Sequence, residues 1–170
     1  YGANEDEGGS PGVSATTDVE ELLRKLIAAG AKGIVLDLRR NGGGLLSEAV
    51  DLTGLFIARG PVVQVRDSLN RVEVRDDENP RTVWDGPLAV LTSRYSASAS
   101  EIVAGALQNY GRAIVVGDNS THGKGTVQTI MPILDDSRFR RFLEDPPRSG
   151  ATKMTIQKFY LPNGVSTQNR

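Results

Sequence analysis

Three short segments carry residue types that could do chemistry together. Ser96, Ala97, Ser98, Ala99 and Ser100 form a turn of small residues between an apolar run, Pro87 to Thr92, and a stretch with helical periodicity. A strand that turns at once into a helix exposes one hydroxyl at the helix N-terminus, where unpaired N–H groups can hold an oxyanion. That is the logic of a nucleophile elbow, although the G-x-S-x-G spacing is absent. The same serines would also serve as plain helix caps. A nucleophilic serine needs a base. His122 is the single histidine, with Asp118 as the nearby carboxylate for a Ser-His-Asp arrangement. Lys124, between Gly123 and Gly125, is the other choice, because burial can lower an amine's pKa until it is neutral. Its bland alternative is a solvated loop charge.

The third segment, Asn41-Gly42-Gly43-Gly44, could present backbone N–H groups to a developing negative charge, or it could bind phosphate. Gly42-x-Gly44-x-x-Ser47 followed by Asp67 approaches the dinucleotide fingerprint, but the third position is Ser and the chain after Asp67 returns as a hairpin. Gly117 to Lys124 imitates a phosphate loop, with one residue too many between its glycines and Gly125 where a magnesium-binding Ser or Thr belongs. Both nucleotide readings are set aside.

To act together these loops must leave neighbouring strands at one edge. Gly33 to Leu38 is a branched apolar run that reads as a strand buried on both faces, and RRNGGG follows it. Pro87 to Thr92 precedes the serine turn, and Ala113 to Val116 precedes GDNSTHGKG. Helices are predicted from Thr17, capped by Thr17 and Glu20 and stopped at Gly30, then from Leu46 to Ile57, and from Ala99 to Tyr110. Val62 to Arg66 and Arg71 to Arg75 alternate as a hairpin. Thr126 to Met131 and Ala151 to Leu161 read as further strands, and Asp135 to Glu144 as a short charged helix. Strands alternating with helices predict an α/β layered core with a largely parallel sheet, in which ligands sit at the carboxyl ends of the strands.

Composition bounds what such a site can be. At 170 residues the chain is one domain. Tyr1 to Thr16 is acidic and small-residue-rich and reads as a flexible leading segment; 17–170 reads as the core. The start at Tyr1 without a charged-then-apolar leader suggests a piece of a longer protein. A net charge of −1 with both signs interspersed makes nucleic acid an unexpected partner. No apolar run reaches the 18 residues that suggest a membrane helix. Zero Cys and one His exclude thiol nucleophiles, disulfides and Cys/His metal sites. Gly, at 19 residues, is over-represented.

In this order and spacing, DLRRNGGG (Asp37 to Gly44), SASASE (Ser96 to Glu101), GKGTVQ (Gly123 to Gln128) and TIQKFY…NGVSTQ (Thr155 to Gln168) resemble the catalytic domain of the tail-specific, or C-terminal processing, serine proteases. The likeness runs from about Val19 to Gln168 and favours the branch typified by the periplasmic enzyme of Gram-negative bacteria. The resemblance implies a ClpP/crotonase-like protease core and a Ser-Lys dyad that needs no metal or cofactor. It assigns Ser98 as nucleophile, Lys124 as general base and Gln128 as the residue orienting that lysine. The oxyanion hole would be the N–H of Ala99 with that of Gly43 or Gly42. It further implies protein or peptide substrates with accessible C-terminal tails, a PDZ domain elsewhere in the parent chain, and a periplasmic or cell-envelope location. Without that PDZ segment a piece can hold the catalytic residues without being an active protease on its own, so the resemblance leaves the activity of the isolated piece open. Retinoid-binding repeats of the interphotoreceptor matrix resemble the same core without acting as proteases, so a non-catalytic ligand- or protein-binding module is the alternative. Retention of Ser98, Lys124 and Gln128 together favours the enzyme, and a dinucleotide-binding oxidoreductase comes third.

Overall fold

Val19, Leu22, Leu23 and Leu26 recur at helical spacing, and the first helix, α1, forms over them at Ala15–Ala28. The structure is a computed structural model and describes residues 14–132 and 150–168. The cap lies three residues before the expected Thr17: it is Ser14, its side chain accepting from the Thr17 N–H at 3.2 Å. Glu20 pairs forward with Arg24 and does not close a capping box. The reason is tertiary, since Thr16 donates through its N–H (2.8 Å) and hydroxyl (2.7 Å) to Glu48 of the second helix.

The remaining elements are β1 (Ile34–Asp37), α2 (Leu46–Gly54), β2 (Gly60–Asp67), β3 (Val72–Asp77), β4 (Leu88–Thr92), α3 (Ala99–Asn109), β5 (Ile114–Gly117), β6 (Thr126–Pro132) and β7 (Ala151–Tyr160). The short helix expected over Asp135 to Glu144 lies outside the described residues.

Two sheets share the strands. β1, β4 and β5 form a parallel sheet with β4 in the centre, registered Ile34↔Leu88 and Ala89↔Ile114. This is the α/β core the alternation predicts. β3, β2, β7 and β6 form an antiparallel sheet, in which β2 joins the hairpin strand β3 on one side and β7 on the other. Pairing Gln64 with Tyr160 closes a loop over most of the chain, and no local pattern announces it.

Helix α3 is the centre of the core: Ser100 to Leu107 are all buried. Around it lie Phe56, Val62, Val63, Trp84, Val90 and Phe159. Each fully buried large apolar side chain contributes about 1.5–3 kcal/mol. Arg112, just past the helix, donates to the carbonyls of Phe56 (2.8 Å) and Trp84 (2.7 Å) and ties the helix end to two loops. β1 departs from the two-faced burial its apolar run suggests. Ile34 is buried while Val35 is 63% exposed, and Ile114 and Val116 of β5 are exposed as well. Side chains alternate across a strand, so one face meets the core and, among the described residues, nothing covers the other.

Candidate active site

Because β1, β4 and β5 run parallel, their carboxyl ends meet at one edge, and the three glycine- and serine-rich loops leave from there. They are laced by side chain–backbone bonds. Ser96 Oγ donates to Leu38 O at 2.7 Å, Ser100 Oγ to Asn41 O at 2.9 Å, and Ser93 Oγ to Arg39 O. The Ala97 N–H also donates to Asn41 O, at 3.2 Å. The glycine loop is therefore bonded directly to the serine turn.

These bonds separate the three serines. Ser96 is fully buried, its hydroxyl accepting from the Ser93 N–H while donating to Leu38 O. Ser100, 3% exposed, is spent on Asn41. Ser98 is only partly buried, and its hydroxyl donates to no acceptor among the described residues. Its backbone sits at φ 56°, ψ −116°, a region that costs a non-glycine residue about 1–3 kcal/mol and persists only where surrounding structure imposes it. The strained residue is the last before α3, in the segment that leads from the end of β4 at Thr92 to the helix start at Ala99.

Gly43 makes the close approach possible. It has φ +100°, and a Cβ placed there would lie 2.7 Å from both Ala97 O and Ser98 Cβ and 3.0 Å from the Ala99 nitrogen. The N–H of Ala99, at the open first turn of α3, has no acceptor among the described residues, and neither has that of Gly42. The Gly43 N–H is taken by Asn41 Oδ1 at 2.9 Å, so it is open to another acceptor only when Asn41 turns away. An apolar cavity of about 80 Å³ adjoins these donors, lined by Leu38, Leu45, Ala49, Leu52 and Val103 with Gly43 and Ala99. On the outer side an open polar cleft runs past Arg39, Arg40 and Tyr95. There the hydrogen bonds from Arg39 hold the Asp37 carboxyl down to about 2.

The lysine loop after β5 is laid across the serine turn. The His122 N–H donates to Ser96 O at 3.0 Å. Glu101, the third residue of α3 and 2% exposed, receives four donors: Ser98 N–H (2.7 Å) and Lys124 N–H (3.1 Å) on Oε2, Gly123 N–H (2.6 Å) and the Thr121 hydroxyl (2.6 Å) on Oε1. Behind the lysine, Thr167 Oγ1 donates to Lys124 O at 3.3 Å, and a Cβ on Gly125 would strike Gln168, so the NGVSTQ segment backs the loop. Burial pushes the Lys124 amine below its ordinary range, the positive charge of Lys153 adds to this, and Glu101 opposes both. Asp118, the carboxylate available to a His122 triad, accepts from the Arg94 N–H at 2.9 Å. Gln128 is exposed on β6 opposite Thr155, and no hydrogen bond among the described residues joins it to Lys124. Asp67, where a dinucleotide site would need a ribose ligand, closes the β2–β3 turn by accepting from the N–H groups of Leu69 (2.8 Å) and Arg71 (2.9 Å).

The structure thus brings Ser98, Ala99, Gly42, Gly43 and the backbone of Lys124 to one place and leaves Gln128 at its edge. Glu101 is the residue that sequence reasoning passed over, quoting it only as the end of SASASE. The signal was there, since Ser98-x-x-Glu101 is the S-x-x-E spacing of a capping box.

A family profile described as Peptidase family S41 matches residues 6–170. The tail-specific protease of Haemophilus influenzae is 50% identical over 158 residues, which is 92% of this chain and 22% of that protein. The carboxy-terminal-processing protease of Bartonella bacilliformis is 38% identical over 151 residues, 88% of this chain and 32% of the relative. Among solved structures, the photosystem II D1 C-terminal processing protease superposes with a TM-score of 0.74 at 32% identity, covering 90% of this chain and 36% of that one. The chain therefore spans between a fifth and a third of the length of these curated relatives.

Proposed function

The chain belongs to peptidase family S41, and we propose that 17–170 is the catalytic core of a tail-specific serine endopeptidase that hydrolyses peptide bonds with a Ser98–Lys124 dyad. The observation that carries this is the turn at Ser98, whose hydroxyl, unlike those of Ser96 and Ser100, donates to no carbonyl among the described residues and sits on a strained backbone between the glycine loop and the lysine loop. In the proposed reaction neutral Lys124 takes the Ser98 hydroxyl proton while Oγ bonds to the scissile carbonyl carbon. The N–H of Ala99, with that of Gly42 or of Gly43 once Asn41 releases it, holds the resulting oxyanion. The Lys124 ammonium then protonates the leaving amine as the C–N bond breaks, leaving an acyl group on Ser98. Water attacks this ester and gives its proton to Lys124; the ammonium returns that proton to Ser98 Oγ as the ester bond breaks, so the new carboxyl terminus departs with the hydroxyl and the neutral amine restored. Gln128 is assigned to orient the lysine by its side-chain amide; an amide does this without adding a charge that would keep the amine protonated.

The H. influenzae tail-specific protease and the C-terminal processing relatives support protein or peptide substrates taken by their C-terminal tails. Selection of those tails by a PDZ domain in the parent chain, and a periplasmic or cell-envelope location, belong to the same proposal. A fluorophosphonate probe applied to the full-length protein tests it. Labelling confined to Ser98, with loss of both labelling and peptide hydrolysis in Ser98→Ala, is expected. Labelling elsewhere, or hydrolysis that survives Ser98→Ala, overturns the assignment. A folded protein that neither labels nor cleaves would instead be a binding module on this fold.

A further inference from the structure

The nucleophile turn and the lysine loop come from strands on different sides of the chain's third helix, and nothing in their own sequences fixes the gap between them. Besides the His122 N–H bond to Ser96 O, one carboxylate does. Glu101 Oε2 accepts from the N–H of Ser98 and from the N–H of Lys124, so the two backbone segments carrying nucleophile and base hang on a single oxygen atom. Oε1 takes the Thr121 hydroxyl and the Gly123 N–H, which pins the loop on both sides of His122. All four partners donate and the side chain is buried, which is the pattern of an ionised carboxylate held by charge-assisted bonds. α3 is the most buried helix and cannot shift without disturbing the core, so Glu101 refers the base loop to a rigid element.

We propose that Glu101 is a positioning residue whose buried carboxylate clamps the base loop to the nucleophile turn and whose negative charge acts on the Lys124 amine. The proposal rests on the reading of Ser98 and Lys124 as nucleophile and base. It gives the carboxylate two effects of opposite sign. The clamp raises the rate by holding the dyad in register. The charge favours the ammonium form and so works against the base, offset by burial and by Lys153 from β7. Other titratable side chains near this loop are His122 within it and Lys158, whose strand position pairs with Thr126.

The opposed signs make the test specific. In the full-length protein Glu101→Gln keeps the size of the side chain, but its amide nitrogen faces groups that are themselves donors, so at least one backbone N–H loses its partner. We expect kcat to fall about 10- to 100-fold with KM nearly unchanged, the size of effect that small misplacements of catalytic groups produce. The acidic limb of the kcat/KM profile should simultaneously move to lower pH, because the amine has lost an attractive charge. Thr121→Val removes one bond and keeps the charge; kcat should fall about 2- to 10-fold with the limb unmoved. A merely structural Glu101 would lower activity and melting temperature together without moving the limb, and that result overturns the proposal. So does a limb that stays or rises in Glu101→Gln, or an unchanged kcat in Thr121→Val should Glu101→Gln fail to fold. Ser98→Ala and Lys124→Ala are measured alongside. Activity surviving in either sinks the dyad and the clamp with it, whereas two dead variants beside a Glu101→Gln of native rate and limb sink the clamp alone.

Discussion

Replacing Gly43 by alanine probes the contact on which the whole site depends. The added Cβ would stand 2.7 Å from Ala97 O and from Ser98 Cβ, about 0.7 Å inside the 3.4 Å at which ordinary contact begins. Neither neighbour is the free end of a flexible side chain: one is backbone, the other belongs to the strained residue of the turn. The side chain would also be forced to φ +100°, which costs about 1–3 kcal/mol for a non-glycine residue. The loop must therefore move away from the turn by several tenths of an ångström, carrying the Gly42 and Gly43 N–H groups away from the Ala99 N–H. Donors to an oxyanion act over a narrow range, and losing one costs about 100- to 1,000-fold in kcat. We expect Gly43→Ala to lose about 100-fold in kcat for peptide hydrolysis by the full-length protein, with a similar loss in the rate of fluorophosphonate labelling. The melting temperature should drop by about 2–4 °C for each kcal/mol of strain retained. Gly44→Ala is the control, because a Cβ there meets nothing within 4 Å and its φ is not positive. Native rates in Gly43→Ala, or equal losses in Gly44→Ala, would refute the reasoning from contact distance.

Other consequences follow from the same bonds. Ser96→Ala should cost about 1–3 kcal/mol in denaturant unfolding, since it takes the acceptor from the Ser93 N–H and leaves Leu38 O with only the Asn41 N–H as donor, whereas Ser98→Ala should abolish hydrolysis with little change in unfolding. Lys153→Met removes a like charge near Lys124; the amine's pKa should rise and the acidic limb of the pH–rate profile move to higher pH, and an unmoved limb would exclude Lys153 as a tuning charge. Gln128→Glu would shift that limb upward too and depress activity at neutrality if Gln128 orients the lysine, and peptide hydrolysis from pH 5 to 10 reads the shift. Burial pushes the Asp77 carboxyl up, against the Asn79 N–H and Arg59, and Asp77 Oδ2 has no hydrogen-bond partner among the described residues. A carboxyl raised in the folded state loses stability as pH climbs from its unfolded pKa through its folded one, so Asp77→Asn should raise the melting temperature at pH 7 and flatten its dependence on pH just above the ordinary carboxylate range.

Much of the site was legible in the sequence because its signals are local. A branched apolar run, a small-residue turn and an immediate helix placed Ser98 at a helix start, and flanking glycines marked the two loops that had to come close to it. Such signals reach only to neighbours a few residues away, through side-chain alternation, helical periodicity and turn chemistry. The start of α1 was misplaced for that reason, as Thr16 is drawn into the helix by Glu48, 32 residues on. The antiparallel sheet stayed hidden in part, because joining β2 to β7 depends on closing a loop over more than half of the chain. Choosing among Ser96, Ser98 and Ser100 was also beyond local chemistry. All three are alike in sequence, and only the carbonyls of Leu38 and Asn41, more than fifty residues away, claim the outer two. Glu101 shows the division most plainly: its spacing from Ser98 announced a helix cap, but its bonds to Thr121, Gly123 and Lys124 exist only because β5 pairs beside β4 and returns its loop over the helix start.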